Sequence, residues 1–480
     1  MHRTVRSLAK PEEVYGVATR KGSGSACRAV VHFVSAAALF AAVACASSPM
    51  MRAAEAGDRA ALAREVAAQS TRGRFALADA ASVAHAVVEH EIFHAATRED
   101  AVARIHDARA CAFAVDDVLS RRMELGDSVS GEAALVRVEA GALSDGAARD
   151  HAHSADDSWR AVAMWGMTRR DDHEVRMRGL TDGSPLVRRS ALHAIAERDD
   201  PAEFATVFDA ARLDPEPLVR SAAVRVLARM SGAPQDLALR LRDLWTSSDE
   251  SLREDLVIAF ASPAILGAGG VEALAHLLQT TEGSDAVTIA GVILGSRVED
   301  LALRAAATGV LVSAIKHGAR NGRIHAIAVA PLAHGVGGGR PVAAETTLFV
   351  DALREASHAD DVDVRLAALG RLSSPSVSMA VPAADRDQAI KALEGMAAPD
   401  ALATVQSSRA RLSLAEARDL RVQAWVEGDL GSKDAFARLS AADALAALGR
   451  AARAAPLLAD EDPSVRTRVA CTIMLAARIE

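Results

Sequence analysis

The chain has 480 residues, of which 50% are hydrophobic but only 3% aromatic, and its formal net charge is −8. A chain of this length exceeds what one hydrophobic core supports, so several domains or a repeat array are expected. The apolar residues are mostly Ala, Val and Leu, which suit closely packed helices and argue against a β-sandwich or a Rossmann fold.

The first 44 residues have the order of a secretory signal. Basic residues precede an apolar run over residues 30–44, which ends in Ala-Val-Ala directly before Cys45. A positive segment, a short apolar segment and small residues at the cleavage point are the parts of such a signal. The run is shorter than the roughly 20 residues that a membrane-spanning helix needs. We therefore predict a cleaved signal over residues 1–44 rather than a transmembrane helix.

Cys45 resembles the acylated cysteine of the lipobox in bacterial lipoproteins. The resemblance implies a lipid anchor at Cys45 and, with Ala46 next, an outer-membrane lipoprotein that faces the periplasm. Ala42 stands where the lipobox usually has Leu, and Ala42 with Ala44 also fits an ordinary signal-peptidase site. Plain secretion and an uncleaved anchor therefore stay as alternatives, and in each case we predict an exported protein.

Removal of residues 1–44 makes the chain more acidic, because this segment carries six basic and two acidic residues. The remainder has a net charge of −12. Nonspecific nucleic-acid binding depends on Lys and Arg side chains that neutralise phosphates, so we predict no nucleic-acid partner.

Residues 45–155 contain segments with apolar residues at helical spacing, which predict helices over residues 53–69, 77–97, 100–124 and 131–142. This part lacks the repeat that follows it. We interpret it as an N-terminal helical cap, since the terminal units of a repeat array must present a polar outer face.

A literal H-E-x-x-H string occupies residues 90–94 of this region. On a helix it would place His90 and His94 on one face as zinc ligands, with Glu91 as the general base of a metallopeptidase. No third ligand is evident, although His106 and Glu124 are candidates, and the region leaves little room for a protease fold. We favour a structural role for the string and keep a zinc site at His90, Glu91 and His94 as the alternative.

Two segments repeat the same signature without gaps. They read DGSPLVRRSA over residues 182–191 and DPEPLVRSAA over residues 214–223, with Val187 and Val219 separated by 32 residues. After each Val, apolar residues recur at helical spacing, and a second apolar stripe precedes Asp214. The repeating unit is therefore predicted to be two amphipathic helices joined by a short turn. Weaker copies of the Val-Arg pair begin at Trp159, Leu252, Leu303, Val364, Ala437 and Val465.

This pattern resembles HEAT repeats, in particular the short type of the phycobilisome-lyase group, and the repeats of bacterial HEAT-repeat lipoproteins. The resemblance is specific over residues 156–253, 360–370 and 431–477. It implies a right-handed, all-α solenoid over residues 156–480, in which stacked helix pairs form a curved superhelix. It also implies that an Asp/Arg ladder links adjacent units, formed here by Asp182, Arg188, Asp214, Arg220, Asp460 and Arg466.

Residues 261–344 are rich in Gly and are predicted to form an irregular stretch within the array. The segment HGVGGGR over residues 334–340 resembles a phosphate-binding loop. It lacks the Gly-Lys-Ser/Thr ending and a preceding strand, so a long loop between repeats is favoured.

Cys111 and Cys471 are the cysteines that remain if Cys27 leaves with the signal and Cys45 is acylated. Both lie in apolar helical patterns far apart in the sequence. We predict buried free thiols rather than a disulfide.

The sequence predicts a non-enzymatic scaffold of the cell envelope. No Ser/His/Asp order, paired-carboxylate constellation or Cys/His cluster suggests a catalytic residue, and no cofactor is predicted. The concave surface of a solenoid suits a protein or peptide partner of unknown identity.

Overall fold

The structure is a computed structural model that describes residues 48–71, 75–231, 234–332 and 342–479. The predicted signal over residues 1–44, the predicted lipidation site Cys45 and the Gly-rich segment 334–340 lie outside the described residues.

The described chain is built of helices and contains no strand. The N-terminal part contains α1 (Pro49–Glu55), α2 (Arg59–Thr71), α3 (Leu77–Phe93), α4 (Arg98–Asp107), the 3-10 segment Ala108–Ala114, α5 (Asp116–Glu124), α6 (Ser130–Glu139) and α7 (Asp145–Arg149). The following part contains α8 (Asp157–Trp165), α9 (His173–Leu180), α10 (Pro185–Arg198), α11 (Phe204–Leu213), α12 (Pro217–Leu227), α13 (Leu237–Trp245) and α14 (Glu250–Phe260).

The rest of the chain continues in the same way after a bent segment at residues 263–270. It contains α15 (Val271–Thr280), α16 (Gly283–Gly295), α17 (Leu301–His317), α18 (Arg320–Val329), α19 (Ala343–Ala356), α20 (Val362–Ser373), α21 (Ala383–Ala397), α22 (Thr404–Glu416), α23 (Gln423–Asp429), α24 (Ala435–Ala447), the 3-10 segment Ala451–Ala459 and α25 (Pro463–Ile479).

The sequence of each repeat determines where its second helix begins. Pro185 and Pro217 stand in the first turn of α10 and α12, where the missing N–H leaves no helical hydrogen bond unmade. At the start of α14 and α24 this role is taken by Asp249 and Asp434, whose carboxylates accept hydrogen bonds from backbone N–H groups of the first turn. Asp and Pro therefore separate the two helices of a unit and begin the second.

The second helices of the units form a continuous inner row. Neighbours in this row pack directly against each other from α8 through α10, α12, α14, α16, α18, α20, α22 and α24 to α25. Most neighbouring outer helices in the described chain make little or no contact with each other. Elements on the inside of a curve lie closer together than those on the outside, so the inner row marks the concave side. The protein is therefore an all-α solenoid; its right-handed sense stays a prediction.

The two ends of the inner row meet. Helix α25 packs along α3 in the most extensive helix–helix contact of the described chain. From α3 the contacts continue through α4 and α5 to α6, and α6 packs against α8. The array therefore closes on itself, and region 45–155, interpreted above as a cap on one end, contacts both the first and the last repeats. We call the junction of α25 with α3, α4 and the 108–114 segment the seam.

Several predicted helix bounds were wrong. The helix predicted over residues 53–69 is broken at Gly57, which has a left-handed φ of 65° that residues other than glycine rarely adopt. The helix predicted over 100–124 is interrupted by the 108–114 segment. The stretch 261–344, predicted to be irregular, is mostly helical from α15 to α18 because its apolar residues keep helical spacing between the glycines.

In the part of the chain that the structure describes, no single helix is long and apolar enough to span a membrane. The helix Glu250–Phe260 and the following Pro263–Thr280 would meet the length and composition criteria only as a pair bent by 61°.

Candidate functional site

Ladder arginines make two sets of contacts, as Arg188 illustrates. Its Nη1 donates to the backbone carbonyls of Asp182 and Gly183 in its own unit, at 2.9 and 3.2 Å. Its Nε and Nη2 donate to both carboxylate oxygens of Asp214 in the next unit, at 2.8 and 2.9 Å. This two-point geometry is the strong form of a charged hydrogen bond. The side chain therefore closes its own turn and bridges two repeats.

The same bridge recurs along the inner row. An arginine of one unit pairs with an aspartate of the next in Arg160–Asp182, Arg188–Asp214, Arg220–Asp249, Arg253–Asp285 and Arg438–Asp460. The hydrogen bond from Arg160 holds the pKa of the Asp182 carboxyl below its usual value. The Asp182 carboxylate is therefore charged and engaged at neutral pH, and the recurrence of the same pairing in the other units favours a structural role over an acid or base role.

At the seam the ladder passes from the last helix to the N-terminal region. Arg466 donates to the carbonyls of Asp460 and Glu461 in its own unit, as Arg188 does. Its guanidinium contacts Oε1 of Glu91 on α3 at 2.7 Å. Glu91 thus takes the place that an aspartate holds in the other units.

This contact changes the interpretation of the H-E-x-x-H string. Glu91, the general base of the metallopeptidase alternative, is largely buried against Arg466. The His90 and His94 rings stack with centroids 4.4 Å apart, and their Nδ1 atoms contact the backbone carbonyls of Glu55 and His90. Within the described ranges, no three His, Cys, Asp or Glu side chains are placed to hold a metal ion.

The two candidate third ligands lie apart from this contact. His106 contacts Glu132 at 3.4 Å, and this interaction raises the pKa of the His106 imidazole. Glu124 lines the same cavity of about 680 Å³ as His90 and His94. The Ser120 hydroxyl donates a hydrogen bond to the Glu124 carboxylate at 3.4 Å. Although Glu124 shares this cavity with the two histidines, it forms no metal site with them among the described residues, and the contact of Glu91 with Arg466 favours a packing role for the string.

We expect Glu91→Gln to lower the free energy of unfolding by about 1–2 kcal/mol, because Arg466 keeps one acceptor but loses its charged partner. Urea unfolding measures this change. The matched control is His94→Gln, which removes a potential zinc ligand from an exposed position without touching the ladder and should leave stability unchanged. Purified wild-type protein that carries stoichiometric zinc, retained by Glu91→Gln, would contradict the structural interpretation.

The seam contains a covalent link as well. Cys111 and Cys471 form a disulfide across 360 residues of sequence, with their Cα atoms 5.2 Å apart. The prediction of free thiols was therefore wrong, because closure of the array brings together two cysteines that lie far apart in the sequence. Beside the disulfide, Ser464 donates to the Asp107 carboxylate at 3.0 Å.

The inner row leaves one stripe of each helix exposed toward the concave side. On α10 the stripe includes Arg189 and Glu197, and on α12 and just beyond it includes Leu218, Arg225 and Arg229. Arg225 contacts Asp255 at 3.3 Å and Arg229 contacts Glu197 at 3.7 Å, so charges pair between neighbouring helices.

Large apolar side chains are also exposed on helices of the inner row. Leu218 and Phe436 each precede a ladder arginine by two residues and are 52% and 43% exposed, and Ile258 on α14 is 47% exposed. Exposed apolar groups beside charged groups are the composition of a surface that binds proteins.

Two more buried pairs were not identified from the sequence. Arg411 pairs with Asp429, and Arg304 pairs with Glu345. Arg304 belongs to one of the weaker repeat copies, but neither acid stands at the motif spacing. No local signal could have identified these two acids.

Comparison with known proteins identifies the repeat type in one part of the chain. Residues 173–261 match a family model described as HEAT repeats. This range covers α9 to α14 and includes the ladder residues Arg188 and Arg220. No curated protein matches the chain.

Similar solved structures include an engineered protein with 20% identity, covering 75% of this chain and 98% of that chain, with a TM-score of 0.30. They also include Kap95p, in a structure that concerns its binding to RanGDP, with 14% identity, covering 80% of this chain and 58% of that chain, with a TM-score of 0.34. A third is Kap121p bound to Nup53p, with 14% identity, covering 84% of this chain and 48% of that chain, with a TM-score of 0.33. The chain thus spans about half the length of Kap121p. TM-scores this low carry no argument about function.

Proposed function

We propose that this protein is a non-enzymatic binding scaffold that holds a protein or peptide partner on the concave face of its inner helix row. The observation that carries the proposal is the exposed stripe of the row, where Leu218, Ile258 and Phe436 stand beside charged residues. Repeat arrays use such extended concave surfaces for binding. The engagement of Glu91 by Arg466 favours this function over a zinc hydrolase.

The proposal includes a location in the cell envelope, with Cys45 as the lipid anchor and secretion as the alternative. The signal pattern of residues 1–44 supports it. The Cys111–Cys471 disulfide supports it independently, since disulfides persist mainly in oxidising compartments.

The test is recovery of a partner from envelope extract with wild-type protein and with the double variant Arg225→Glu and Arg229→Glu. Both arginines are more than half exposed, so we expect helical content to stay unchanged and thermal stability to fall only slightly, through loss of their pairs with Asp255 and Glu197. Binding of the recovered partner should weaken by about tenfold or more, equivalent to at least about 1.4 kcal/mol. Isothermal titration with the purified partner measures this change.

The matched control is Arg212→Glu, an exposed arginine on the outer helix of the same unit. It should leave partner binding unchanged. A partner that binds both variants as tightly as the wild type would exclude this part of the concave face, and failure to recover any partner would overturn the scaffold proposal.

A further inference from the structure

A cavity of about 500 Å³ opens where the N-terminal region faces the first repeats. Its walls include Phe113 from the 108–114 segment, Glu139 at the end of α6, Trp165 at the end of α8, and Arg189 and His193 on the exposed stripe of α10. The cavity is therefore continuous with the concave face proposed above to bind a partner. Its volume lies in the range typical of sites that enclose a ligand.

The aromatic side chains of the cavity are arranged to accept another flat or bulky apolar group. The Trp165 and His193 rings lie with centroids 3.6 Å apart, and Phe113 is 61% exposed. Burial lowers the pKa of the His193 imidazole, so this ring is neutral at neutral pH and acts as an aromatic surface. Exposed aromatic side chains of this kind are enriched where proteins bind each other.

Trp165 also supplies an unused hydrogen-bond donor. Its indole Nε1 is out of contact with solvent and has no acceptor among the described residues. A buried donor without an acceptor is unfavourable. An occupant that shifts the indole ring toward the cavity and offers a carbonyl oxygen to this N–H would therefore satisfy the donor.

The charges of the cavity favour an acidic occupant. Glu139 is the acidic side chain of the lining, and Arg109 already pairs with it. Arg189 lies close enough to Glu139 to lower its pKa, although burial raises that pKa more strongly, and Arg189 has no ion pair of its own among the described residues. The guanidinium of Arg478 lies 5.6 Å from the centre of the Phe113 ring. Two arginines of the lining thus face one glutamate, and only Arg109 is paired with it, so Arg189 is the charge left for an acidic group.

We propose that this cavity is the principal docking point for an acidic peptide segment of the partner. An aromatic or large aliphatic side chain of the segment lies between Phe113 and Trp165, a backbone carbonyl accepts from Trp165 Nε1, and a carboxylate lies beside Arg189. This inference rests on the proposed scaffold function and specifies the chemistry of its partner.

The experiment is selection of a phage-displayed random peptide library against the full chain, followed by fluorescence-anisotropy titration of the enriched peptides. We expect enrichment of Asp or Glu next to Phe, Tyr, Trp or Leu. Binding of these peptides should weaken by about tenfold or more in Arg189→Glu and in Phe113→Ala. The control Arg212→Glu lies on the outer face and should bind like the wild type.

Each other outcome overturns this inference without by itself overturning the scaffold proposal. Peptides without acidic bias, or acidic peptides that bind both cavity variants normally, would exclude the cavity as their site. Peptides lost only in the Arg225→Glu and Arg229→Glu variant would place binding elsewhere on the concave face. Failure to enrich any peptide overturns the inference, while partner recovery from envelope extract still decides the scaffold function. Phenylacetate that binds as tightly as the peptides would indicate a small-molecule site instead.

Discussion

Arg176→Ala is expected to lower the free energy of unfolding by about 3–5 kcal/mol, because it removes the guanidinium from a buried carboxylate that then keeps only the contact with His173 Nδ1 at 2.9 Å. Arg176 and Glu203 are both fully buried. Arg176 Nε donates to Glu203 at 3.0 Å, and its Nη1 donates to the carbonyls of Met167 and Arg169 at 3.0 and 2.7 Å. Removal of the guanidinium therefore leaves Glu203 and two carbonyls without this donor.

Urea unfolding followed by circular dichroism measures this loss, and hydrogen exchange should show it first in α9 and residues 201–203. The control is Arg178→Ala, an exposed arginine on the same helix, which should change stability by less than about 0.5 kcal/mol. The double variant Arg176→Met with Glu203→Leu should recover most of the loss, since replacing both members of a buried pair avoids the stranded charge. If Arg176→Ala is as stable as Arg178→Ala, the buried pair does not stabilise this repeat.

The fold class could be predicted from the sequence because a repeat array is built from local rules. A Pro or Asp begins the second helix, apolar residues recur at helical spacing, and a Val-Arg pair recurs with the repeat. Arg188 and Asp214, both named from this motif, contact each other because their units are neighbours in sequence and in space. The spacing of the repeat motif therefore predicts contacts only between units that are neighbours in the sequence.

Closure of the array could not be predicted in this way. Arg466 contacts Glu91 across 375 residues of sequence, and whether two such residues meet depends on the curvature accumulated over all the intervening units. No single motif encodes that sum. The same limitation explains why Cys111 and Cys471 were interpreted as separate thiols. It also explains why the H-E-x-x-H string suggested a catalytic site, although its glutamate pairs with an arginine of the Asp/Arg ladder.

The cavity at Trp165 lies beside the seam. The 108–114 segment, which brings Phe113, packs against α25 at the seam. Arg189 and Trp165 come from the first repeats, where the repeat motif predicts helix packing but no binding site. A site formed between the N-terminal region and the first repeats therefore had no signature of its own in the sequence.

Loss of the Cys111–Cys471 disulfide is expected to lower the free energy of unfolding by up to about 6 kcal/mol, the chain-entropy value for a loop as long as this one. The bond joins the N-terminal region to the last helix across 360 residues, so it restricts about three quarters of the 480-residue unfolded chain. Without it, the seam depends on the packing of α25 against α3, the Arg466–Glu91 pair and the Ser464–Asp107 hydrogen bond. Units of a repeat array contact mainly their neighbours, so we expect the seam to open before the repeats unfold.

The measurement is urea unfolding of oxidised wild type, reduced wild type and the variant Cys111→Ser with Cys471→Ser, with hydrogen exchange to locate the change. Reduced wild type and the variant should share a lowered midpoint, and exchange should accelerate first in α3 and α25 while α10 to α14 keep their protection. A reducing agent should have no effect on the variant, which controls for its action elsewhere. Equal midpoints for oxidised and reduced wild type would show that the seam holds without the disulfide, and free thiols in oxidised protein would show that the bond does not form.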